Sequence, residues 1–536
     1  MLADVAAALG MPFGTEGDPT GLHRPLPPGA GPAVLGSVRE ALLDPAERRR
    51  RGAHYTPMAV ASRLAALALD GLGADAVVAD PACGGGAFLL AAADVLVAAG
   101  AEPAAVVERL IGVDTDPLAI EVTTAVLHAW AGAAPTGLRV GDGLDDDWTG
   151  GRAVDAVVGN PPFLSPLGAA TARSAAESER LRVRFGAVVA AYADSAGLFL
   201  LSALGATVAG GRVVLVQPES LLASRDGAAL RRAVLEQAAL EGLWVAGERV
   251  FGAGVRVCAP VLRTGRPQPA TVRRYAGAVA SAAGTAVLPP ASTTWAPLRP
   301  TAPPPVRLAA GGVLADLATA TAGFRDEFYG LSAATEETSG PGDKRPPLIT
   351  SGLLDPGRCA WGERPARIAG RNFAAPVVDR ARLDPRTATW VEARLGPKVL
   401  VATQTKVVEA AADAAGRWVP LTPVIAVAPI GDDDPATVWR IAALLTSPAV
   451  TAWALHHWGG TALATDAVKL SARQILTVPL PADLAAWAEA AALLEAGDVA
   501  GCAAAMNAAH GAPARLLPWW EARLRPSRLT AGGRKP

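Results

Sequence analysis

The chain has 536 residues, of which 51% are hydrophobic and 18% are charged, and its formal net charge is −1 at pH 7. This length predicts two or three domains, and a sequence this apolar and this weakly charged is not typical of a disordered protein. The four cysteines lie far apart, so neither a disulfide framework nor a structural zinc site is expected.

Composition predicts several segments along the chain. Residues 1–47 hold a short apolar helix and a Gly/Pro-rich lead-in, and residues 48–278 alternate between strand-like and helix-like runs. A Pro-rich linker is predicted over residues 279–308, a second domain over residues 309–520 and a tail over residues 521–536. No stretch has the pattern of a membrane span or an export signal, so we expect a cytoplasmic protein with no membrane partner.

Seven strand-like runs are predicted between residues 75 and 265, and helix-like segments separate most of them. The runs are residues 77–80, 110–114, 138–142, 154–159, 212–216, 243–246 and 257–262. Strand–helix alternation with apolar strands predicts a parallel sheet that is covered on both faces. The expected fold class is therefore α/β, with a doubly wound seven-stranded Rossmann-like domain followed by a mixed α+β domain.

A glycine-rich motif, Asp80–Leu89 (DPACGGGAFL), follows the first predicted strand. Glycines at a strand-to-helix turn let the backbone approach a ligand closely, and the N-terminus of the helix offers unpaired N–H groups. Such a turn can also do no more than join a strand to a helix, so the motif alone is weak evidence. It is not a P-loop, because no Gly-Lys-Ser/Thr follows, and it lacks the G-x-G-x-x-G spacing of dinucleotide-binding proteins.

Acidic residues end the first three predicted strands, at Asp80, Asp114 and Asp142. A carboxylate at the end of the second strand can accept hydrogen bonds from both hydroxyls of a ribose. Each aspartate alone is better explained as a loop or cap residue, but three successive strands with this ending are more informative. Because ligands of doubly wound sheets bind outside the carboxyl ends of the strands, the pattern suggests a nucleoside-bearing cofactor.

The motif Asn160–Phe163 (NPPF) directly follows the fourth predicted strand. An exocyclic amine of a base is a poor nucleophile, because its lone pair is delocalised into the ring. The Asn160 side-chain oxygen and the Pro161 carbonyl could accept its two hydrogens and favour a more tetrahedral nitrogen. Pro161 and Pro162 stiffen the turn, and Phe163 offers an apolar face for a flipped base. The alternative is a strand-ending turn with a buried phenylalanine.

With these motifs in this order, the chain resembles the gamma-type N6-adenine DNA methyltransferases, which use S-adenosylmethionine. The resemblance covers residues 48 to about 265 and begins with Tyr55–Pro57 (YTP), ahead of the first strand. Gly85 stands where serine is common in that family. The resemblance implies a methyltransferase domain followed by a DNA target-recognition domain.

The resemblance also implies roles for individual residues, and it implies no metal ion. The methionine end of the cofactor would be lined by Tyr55, Thr56 and Pro57. The methionine and ribose region would be held by Asp80, Ala82, Gly84 and Gly86, the ribose hydroxyls by Asp114, and the adenine amine by Asp142. The target adenine would be held by Asn160 (which would also contact the cofactor), Pro161, Pro162 and Phe163, with Phe251 packed against the flipped base.

The second domain carries a basic segment. Between residues 358 and 417, 11 Lys and Arg stand against 6 Asp and Glu, an excess that suits phosphate contacts. The candidate DNA-binding residues are Arg371, Lys398, Gln404 and Lys406. Residues 398–406 are predicted as a strand with a polar end, and residues 413–416 as the turn of the same hairpin. The alternative is an exposed polar hairpin that does not contact DNA.

The expected function is site-specific adenine-N6 methylation of duplex DNA within a restriction-modification or phage-defence system. A separate restriction endonuclease or other defence-complex subunits are the partners that such a system would use. Two alternatives remain: methylation of another planar amine, on RNA guanine or protein glutamine, and a non-catalytic DNA-binding subunit. A nuclease within this chain is not expected, since only about 80 residues precede the first strand and no nuclease motif is evident.

Overall fold

The computed structural model describes residues 31–42, 56–163, 174–189, 194–247, 255–290, 294–323, 325–431, 434–462 and 466–524. The chain divides into two compact units, Met1–Pro300 and Thr301–Pro536. Within the described ranges, no single helix is long and apolar enough to cross a membrane, although the bent pair Pro435–Thr446 and Pro448–Trp458 would pass that test if joined.

A mixed sheet of ten described strands forms the centre of the first unit. The strands are β1 Val78–Asp80, β2 Leu110–Asp114, β3 Leu138–Val140, β4 Val154–Gly159, β5 Thr207–Leu215, β6 Gln217–Pro218, β7 Ala238–Val245, β8 Val257–Thr264, β9 Val272–Ala276 and β10 Ser281–Ala286. Their order is β10-β9-β7-β8-β5-β4-β1-β2-β3, and the short β6 pairs with β8. Strands β3, β2, β1, β4 and β5 run parallel, whereas β8 is antiparallel to both β5 and β7.

The predicted fold class is confirmed, and each of the seven predicted runs contains a strand of this sheet. The structure differs in that β8 is antiparallel and that β9 and β10 extend the sheet. Strand β10 lies in the segment predicted as a linker, where Trp295 and Leu298 are also buried. The side chains of β10 are mostly exposed, so its sequence carries no apolar alternation from which a strand could be predicted. The first unit accordingly extends to Pro300.

Helices cover both faces of this sheet. They are α1 Ala33–Leu42, α2 Met58–Leu69, α3 Ala87–Ala98, α4 Pro103–Val107, α5 Pro117–Ala131, α6 Ala175–Phe185, α7 Ser195–Ala206 and α8 Ala228–Gln237. Alternate residues of the central strands point to opposite faces, so that Val158 packs with α2, α3 and α5 whereas Val157 packs with α7 and α8. Helix α7, which is almost entirely apolar, is buried over Ser195–Leu204, and the Asp194 carboxylate caps its N-terminus through the Ala196 N–H.

The second unit is assembled from short strands around a four-stranded sheet of order β12-β24-β20-β22. The described strands are β11 Ala310–Val313, β12 Ala318–Ala322, β13 Thr335–Glu337, β14 Leu348–Ile349, β15 Leu354–Asp355, β16 Arg358–Cys359, β17 Ala366–Ile368, β18 Arg371–Phe373, β19 Pro376–Val378, β20 Lys398–Val401, β21 Gln404–Thr405, β22 Ala410–Asp413, β23 Val419–Pro420, β24 Ile425–Pro429, β25 Val468–Lys469 and β26 Pro479–Pro481. The helices are α9 Arg325–Ala333, α10 Pro385–Glu392, α11 Pro435–Thr446, α12 Pro448–Trp458, α13 Ala472–Ile475, α14 Leu484–Glu495, α15 Val499–Ala509 and α16 Leu516–Glu521. Apolar residues of α11, α12, α14 and α15 pack against one face of the sheet.

The hairpin predicted near Lys398 exists, but its predicted turn is wrong. Strand β20 pairs antiparallel with β22 so that Lys398 lies opposite Asp413, and the chain therefore reverses within residues 402–409. Residues 413–416 do form a turn, closed by the Gly416 N–H on the Asp413 carbonyl at 3.0 Å, but this turn follows β22 and does not join it to β20. The Asp413 carboxylate also accepts the N–H groups of Arg417 and Trp418, at 3.0 and 2.8 Å.

Lys398 is not a DNA-binding residue. It is 2% exposed, and its Nζ donates to Asp413 Oδ2 at 2.5 Å and to the Gly396 carbonyl at 3.1 Å. Burial lowers the pKa of this lysine, and the neighbouring Asp413 carboxylate acts in the opposite direction. The pair therefore fastens β20 to β22 inside the unit and offers no charge to a phosphate.

A buried histidine makes the stability of the second unit dependent on pH. His510 directly follows α15 and is 0% exposed, and burial lowers its pKa to about 4. The neutral ring is favoured in the folded state because a charged imidazolium would lose its hydration.

We predict that the second unit loses stability as pH falls from about 6.5 to about 4. Below pH 6.5 an unfolded histidine binds a proton that folded His510 binds only near pH 4. The expected loss is about 2 kcal/mol between pH 6.5 and pH 5. Urea denaturation, read by hydrogen exchange in α15, measures this loss. His510→Leu should flatten the dependence, and His128→Leu in the first unit should not; an unchanged slope in His510→Leu contradicts the prediction.

Candidate active site

One cavity brings the predicted motifs of the first unit together. The described candidates that line it are Thr56, Asp80, Ala82, Gly84, Asp114, Asp142, Asn160 and Pro162. Because β1, β2, β3 and β4 are adjacent and parallel, their carboxyl ends meet at the same edge of the sheet. The candidates Pro57, Gly86, Pro161 and Phe163 lie beside the cavity without lining it.

The glycine-rich loop needs two glycines for its backbone conformation. Gly84 has a φ of +53° and Gly86 a φ of +82°, both in the left-handed region that residues with a Cβ seldom adopt. Gly86 directly precedes α3, and its N–H donates to the Cys83 carbonyl at 2.8 Å. The hydroxyl of Thr123, on α5, donates to the Gly84 carbonyl at 2.9 Å and holds the loop against the next helix.

Asp114 ties this loop to the end of β2. Its Oδ2 accepts the Gly84 N–H at 3.0 Å, and its Oδ1 accepts the Asp116 N–H at 2.9 Å. Burial raises the pKa of Asp114, while these two N–H groups and the Arg39 charge act to lower it. The carboxylate is thus held rigidly at the strand end, in a cavity that a ligand can enter.

Asp80 is the more deeply buried carboxyl group. It is 1% exposed, and its Oδ1 accepts the Ala82 N–H at 3.0 Å. Burial raises its pKa to about 8, the Ala82 N–H acts to lower it, and the charge of Asp114 raises it. A Cβ on Gly159 would lie 2.5 Å from Asp80 Oδ1, so the glycine that ends β4 makes room for this carboxyl. At neutral pH Asp80 therefore carries a proton.

Asp142 lies at the more exposed rim of the cavity. Its Oδ1 accepts the Leu144 N–H at 2.9 Å, and its Oδ2 pairs with a guanidinium nitrogen of Arg180 at 2.9 Å. Arg180 belongs to α6, which the sequence reasoning did not connect with the site. The pair holds α6 beside the strand-end acids.

The Asn160 turn is held from two sides. The Asn160 amide nitrogen donates to the Thr56 hydroxyl at 3.2 Å, which orients the carboxamide at the start of α2. The Ser195 hydroxyl, at the start of α7, donates to the Pro162 carbonyl at 2.6 Å. Pro161 is buried, and the half-buried Phe163 packs against the apolar cluster that contains α2 and α3. Thr56 and Ser195 therefore position the turn.

Helix α1 is a part of the site that the sequence did not connect with it, since residues 1–47 were predicted only as an N-terminal helix and a Gly/Pro-rich lead-in. Ala33, Gly36 and Arg39 of this helix line the cavity, beside the glycine-rich loop. Gly36 was the available signal, but a single glycine has many explanations. Tyr55 and Phe251, two further candidates, lie outside the described residues.

The remaining candidates lie in the second unit. Arg371 is exposed and its guanidinium stacks over the Phe373 ring, 4.9 Å from the ring centre. Gln404 and Lys406 are exposed, and Gln404 lies opposite the exposed Lys469 in the antiparallel pair β21–β25. Gln404 and Lys469 are opposed and so share one face of the strand pair, and the exposed Lys406 directly follows β21. We refer to these three residues as the 404–469 ribbon.

A known family model matches part of the first unit. Residues 31–276 match the family model described as N-6 DNA Methylase. The chain is similar to the type IIL restriction-modification enzyme MmeI, solved in complex with DNA, at 13% identity and a TM-score of 0.60, covering 92% of this chain and 81% of that one. At this identity the likeness concerns the fold alone. No curated protein matches the chain.

Two further structures are less similar. The type IIG restriction endonuclease BpuSI shares 11% identity with a TM-score of 0.43, covering 90% of this chain and 68% of that chain. A type I methyltransferase subunit from Streptococcus thermophilus shares 19% identity with a TM-score of 0.36, covering 46% and 53%. The family match spans strands β1 to β9, the glycine-rich loop and the Asn160 turn, so over residues 31–276 the chain is similar to the N-6 DNA methylase family.

Proposed function

We propose that the chain is a site-specific DNA methyltransferase that transfers a methyl group from S-adenosylmethionine to N6 of an adenine flipped out of duplex DNA. The observation that carries this proposal is the position of the Asn160 turn. Asn160 and Pro162 line the same cavity as the three strand-end aspartates, and Thr56 and Ser195 hold the turn in place. A restriction-modification or phage-defence system is the setting, with a separate restriction endonuclease or other defence subunits as partners.

The lining of the cavity fits S-adenosylmethionine. Three carboxyl groups suit a ligand that carries an ammonium group, a sulfonium group and ribose hydroxyls. Asp80 faces the methionine part together with Thr56 and Pro57, Asp114 accepts the ribose hydroxyls, and Asp142 accepts the adenine amine. Ala82, Gly84 and Gly86 keep the backbone close to the ligand. When bound, the cofactor supplies an electrophilic methyl group.

The target base is held by the turn. The Asn160 oxygen and the Pro161 carbonyl accept the two hydrogens of the exocyclic amine, which keeps the nitrogen lone pair out of the ring. The Thr56 hydroxyl accepts from the Asn160 amide nitrogen and so directs which end of the carboxamide meets the base. Burial raises the pKa of the Cys83 thiol well above its usual value, so this cysteine serves as a small apolar residue beside the site.

The second unit is proposed to hold DNA through exposed polar side chains. Lys469 lies opposite Gln404 in the β21–β25 pair, and the exposed Lys406 directly follows β21; these polar side chains suit phosphate contacts and the edge of a base. Arg371 is a second exposed cation of the same unit. The likeness in fold to MmeI, which was solved with DNA, extends over 92% of this chain and supports a DNA-binding role for this unit.

Asn160→Ala is expected to lower methyl transfer by about 100-fold or more, because two positioned acceptors are reduced to one. Binding of S-adenosylhomocysteine should stay near the wild-type affinity. Transfer to duplex DNA, to RNA and to protein is measured with labelled cofactor, and Gln237→Ala, an exposed change on α8, is the control. Near-normal transfer in Asn160→Ala contradicts the proposed role of Asn160. Labelling of RNA or protein instead of DNA would mean that the methyl acceptor is another amine.

Binding of S-adenosylmethionine is expected to tighten as pH rises from 6 to 7.5. Asp80, with a pKa of about 8 in the free site, is protonated below that pH, and a cation beside it favours the ionised form. Affinity should therefore rise by up to about tenfold per pH unit, with a proton released on binding. Calorimetry in buffers of different ionisation enthalpy measures this release. Asp80→Asn should abolish it, and an equal release in that variant contradicts the prediction.

Lys406→Gln and Lys469→Gln are each expected to weaken binding to a duplex of mixed sequence. Each should also reduce the slope of log K against log salt by about 0.9, since each lysine would displace one counterion. Fluorescence anisotropy over a salt series measures both effects. Lys344→Gln, another exposed lysine of the second unit, is the matched control. Unchanged slopes in both ribbon variants would mean that the 404–469 ribbon does not contact DNA.

A further inference from the structure

Helix α1 and the glycine-rich loop touch backbone to backbone. A Cβ on Gly85 would lie 2.6 Å from the Gly36 Cα, and a Cβ on Gly36 would lie 2.8 Å from the Gly85 carbonyl oxygen. No side chain fits at either position unless the helix moves. Leu35, which is 0% exposed, packs into the apolar cluster of α2 and α3 and anchors the helix there. The first described helix of the chain therefore closes one side of the cofactor cavity.

Arg39, in the last turn of α1, holds the same helix in place through an ion pair. Its guanidinium pairs with the Asp116 carboxylate, which also caps α5 by accepting the Leu118 N–H at 3.0 Å. Arg39 is only 7% exposed, yet it lines the cavity. Its Nε is buried and has no hydrogen-bond partner among the described residues. A buried donor of a charged group without an acceptor is unfavourable, so this N–H points to an acceptor on a ligand.

The surroundings of Arg39 favour a neutral acceptor over an anion. Asp114 and Asp116 flank it, and its positive charge is one of the influences that lower the pKa of Asp114 against the larger effect of burial. A ligand carboxylate at this place would meet two aspartates and be repelled. A hydroxyl can donate to one carboxylate and accept from a guanidinium at the same time.

We propose that Arg39 binds the cofactor directly, by donating from Nε to a ribose hydroxyl oxygen beside Asp114, and that α1 covers the cofactor through the Gly36–Gly85 contact. The inference rests on the proposed function, because that proposal supplies the nucleoside. It gives the segment before the strand-and-helix core, predicted as a helix and a lead-in with no role in binding, a part in holding the cofactor.

Arg39→Lys separates cofactor binding from the anchoring of α1. Lysine keeps the charge and can pair with Asp116, but it lacks Nε. Calorimetry with S-adenosylhomocysteine and with its analogue that lacks both ribose hydroxyls measures the two affinities. We expect Arg39→Lys to bind the parent ligand about 10-fold more weakly and to bind the analogue as the wild type does. Equal losses for both ligands, or no loss for either, overturn the role of Arg39.

Gly36→Ala tests whether α1 covers the cofactor through the Gly36–Gly85 contact. Alanine raises helix propensity, so a weaker site in this variant reflects the clash with Gly85 and not melting of α1. We expect release of S-adenosylhomocysteine to be at least about fivefold faster by stopped flow. Ser37→Ala, on the same helix, should release at the wild-type rate. An unchanged rate of S-adenosylhomocysteine release in Gly36→Ala overturns the proposal that α1 covers the cofactor.

Failure of this inference is distinguishable from failure of the proposed function. If the wild-type protein binds no S-adenosylhomocysteine, the proposed cofactor site itself is wrong. If the wild type binds it and all α1 variants behave alike, only the role of α1 is wrong. Circular dichroism of each variant establishes that the first unit remains folded.

Discussion

The site depends on two carboxyl groups that the sheet brings into one buried place. Asp80 and Asp114 end neighbouring parallel strands, and the register pairs Asp80 with Gly112, so both carboxyl groups lie at the same edge of the sheet. Burial raises the pKa of both groups, and the charge of Asp114 adds to the effect on Asp80. Backbone N–H groups of Ala82, Gly84 and Asp116 donate to the two carboxyl groups and oppose this effect of burial. The Gly84 N–H reaches Asp114 from a loop in which Gly84 and Gly86 have positive φ.

A cavity with this electrostatic character selects its ligand. A cation is attracted by acids that are otherwise destabilised by burial, and hydroxyl donors satisfy their remaining acceptor positions. The compensating cation that the protein itself supplies, Arg39, comes from α1 and reaches Asp116 at the edge of the site. Residues of this helix, Gly36 and Arg39, line the same cavity as the strand-end aspartates.

The sequence predicted what local periodicity and strand-end chemistry determine. Each of the seven strand runs and the meeting of Asp80, Asp114, Asp142 and Asn160 could be predicted, since apolar runs form strands and parallel strands align their ends. Features that depend on tertiary contacts could not be predicted from the sequence. The strand β10 has exposed side chains, Lys398 is buried only because Asp413 lies across the sheet, and Arg39 joins the site through an ion pair 77 residues away along the chain.

The two units place different demands on their sequences. In the first, backbone geometry does most of the positioning, so short motifs such as DPACGGG and NPPF carry much of the information and remain readable in one sequence. In the second, a proposed DNA contact depends on which exposed side chains share a face, and that is decided by pairings between distant parts of the chain, such as β21 with β25, in which Gln404 lies opposite Lys469. Exposed side chains can change without disturbing the core, so recognition can vary while the chemistry is kept.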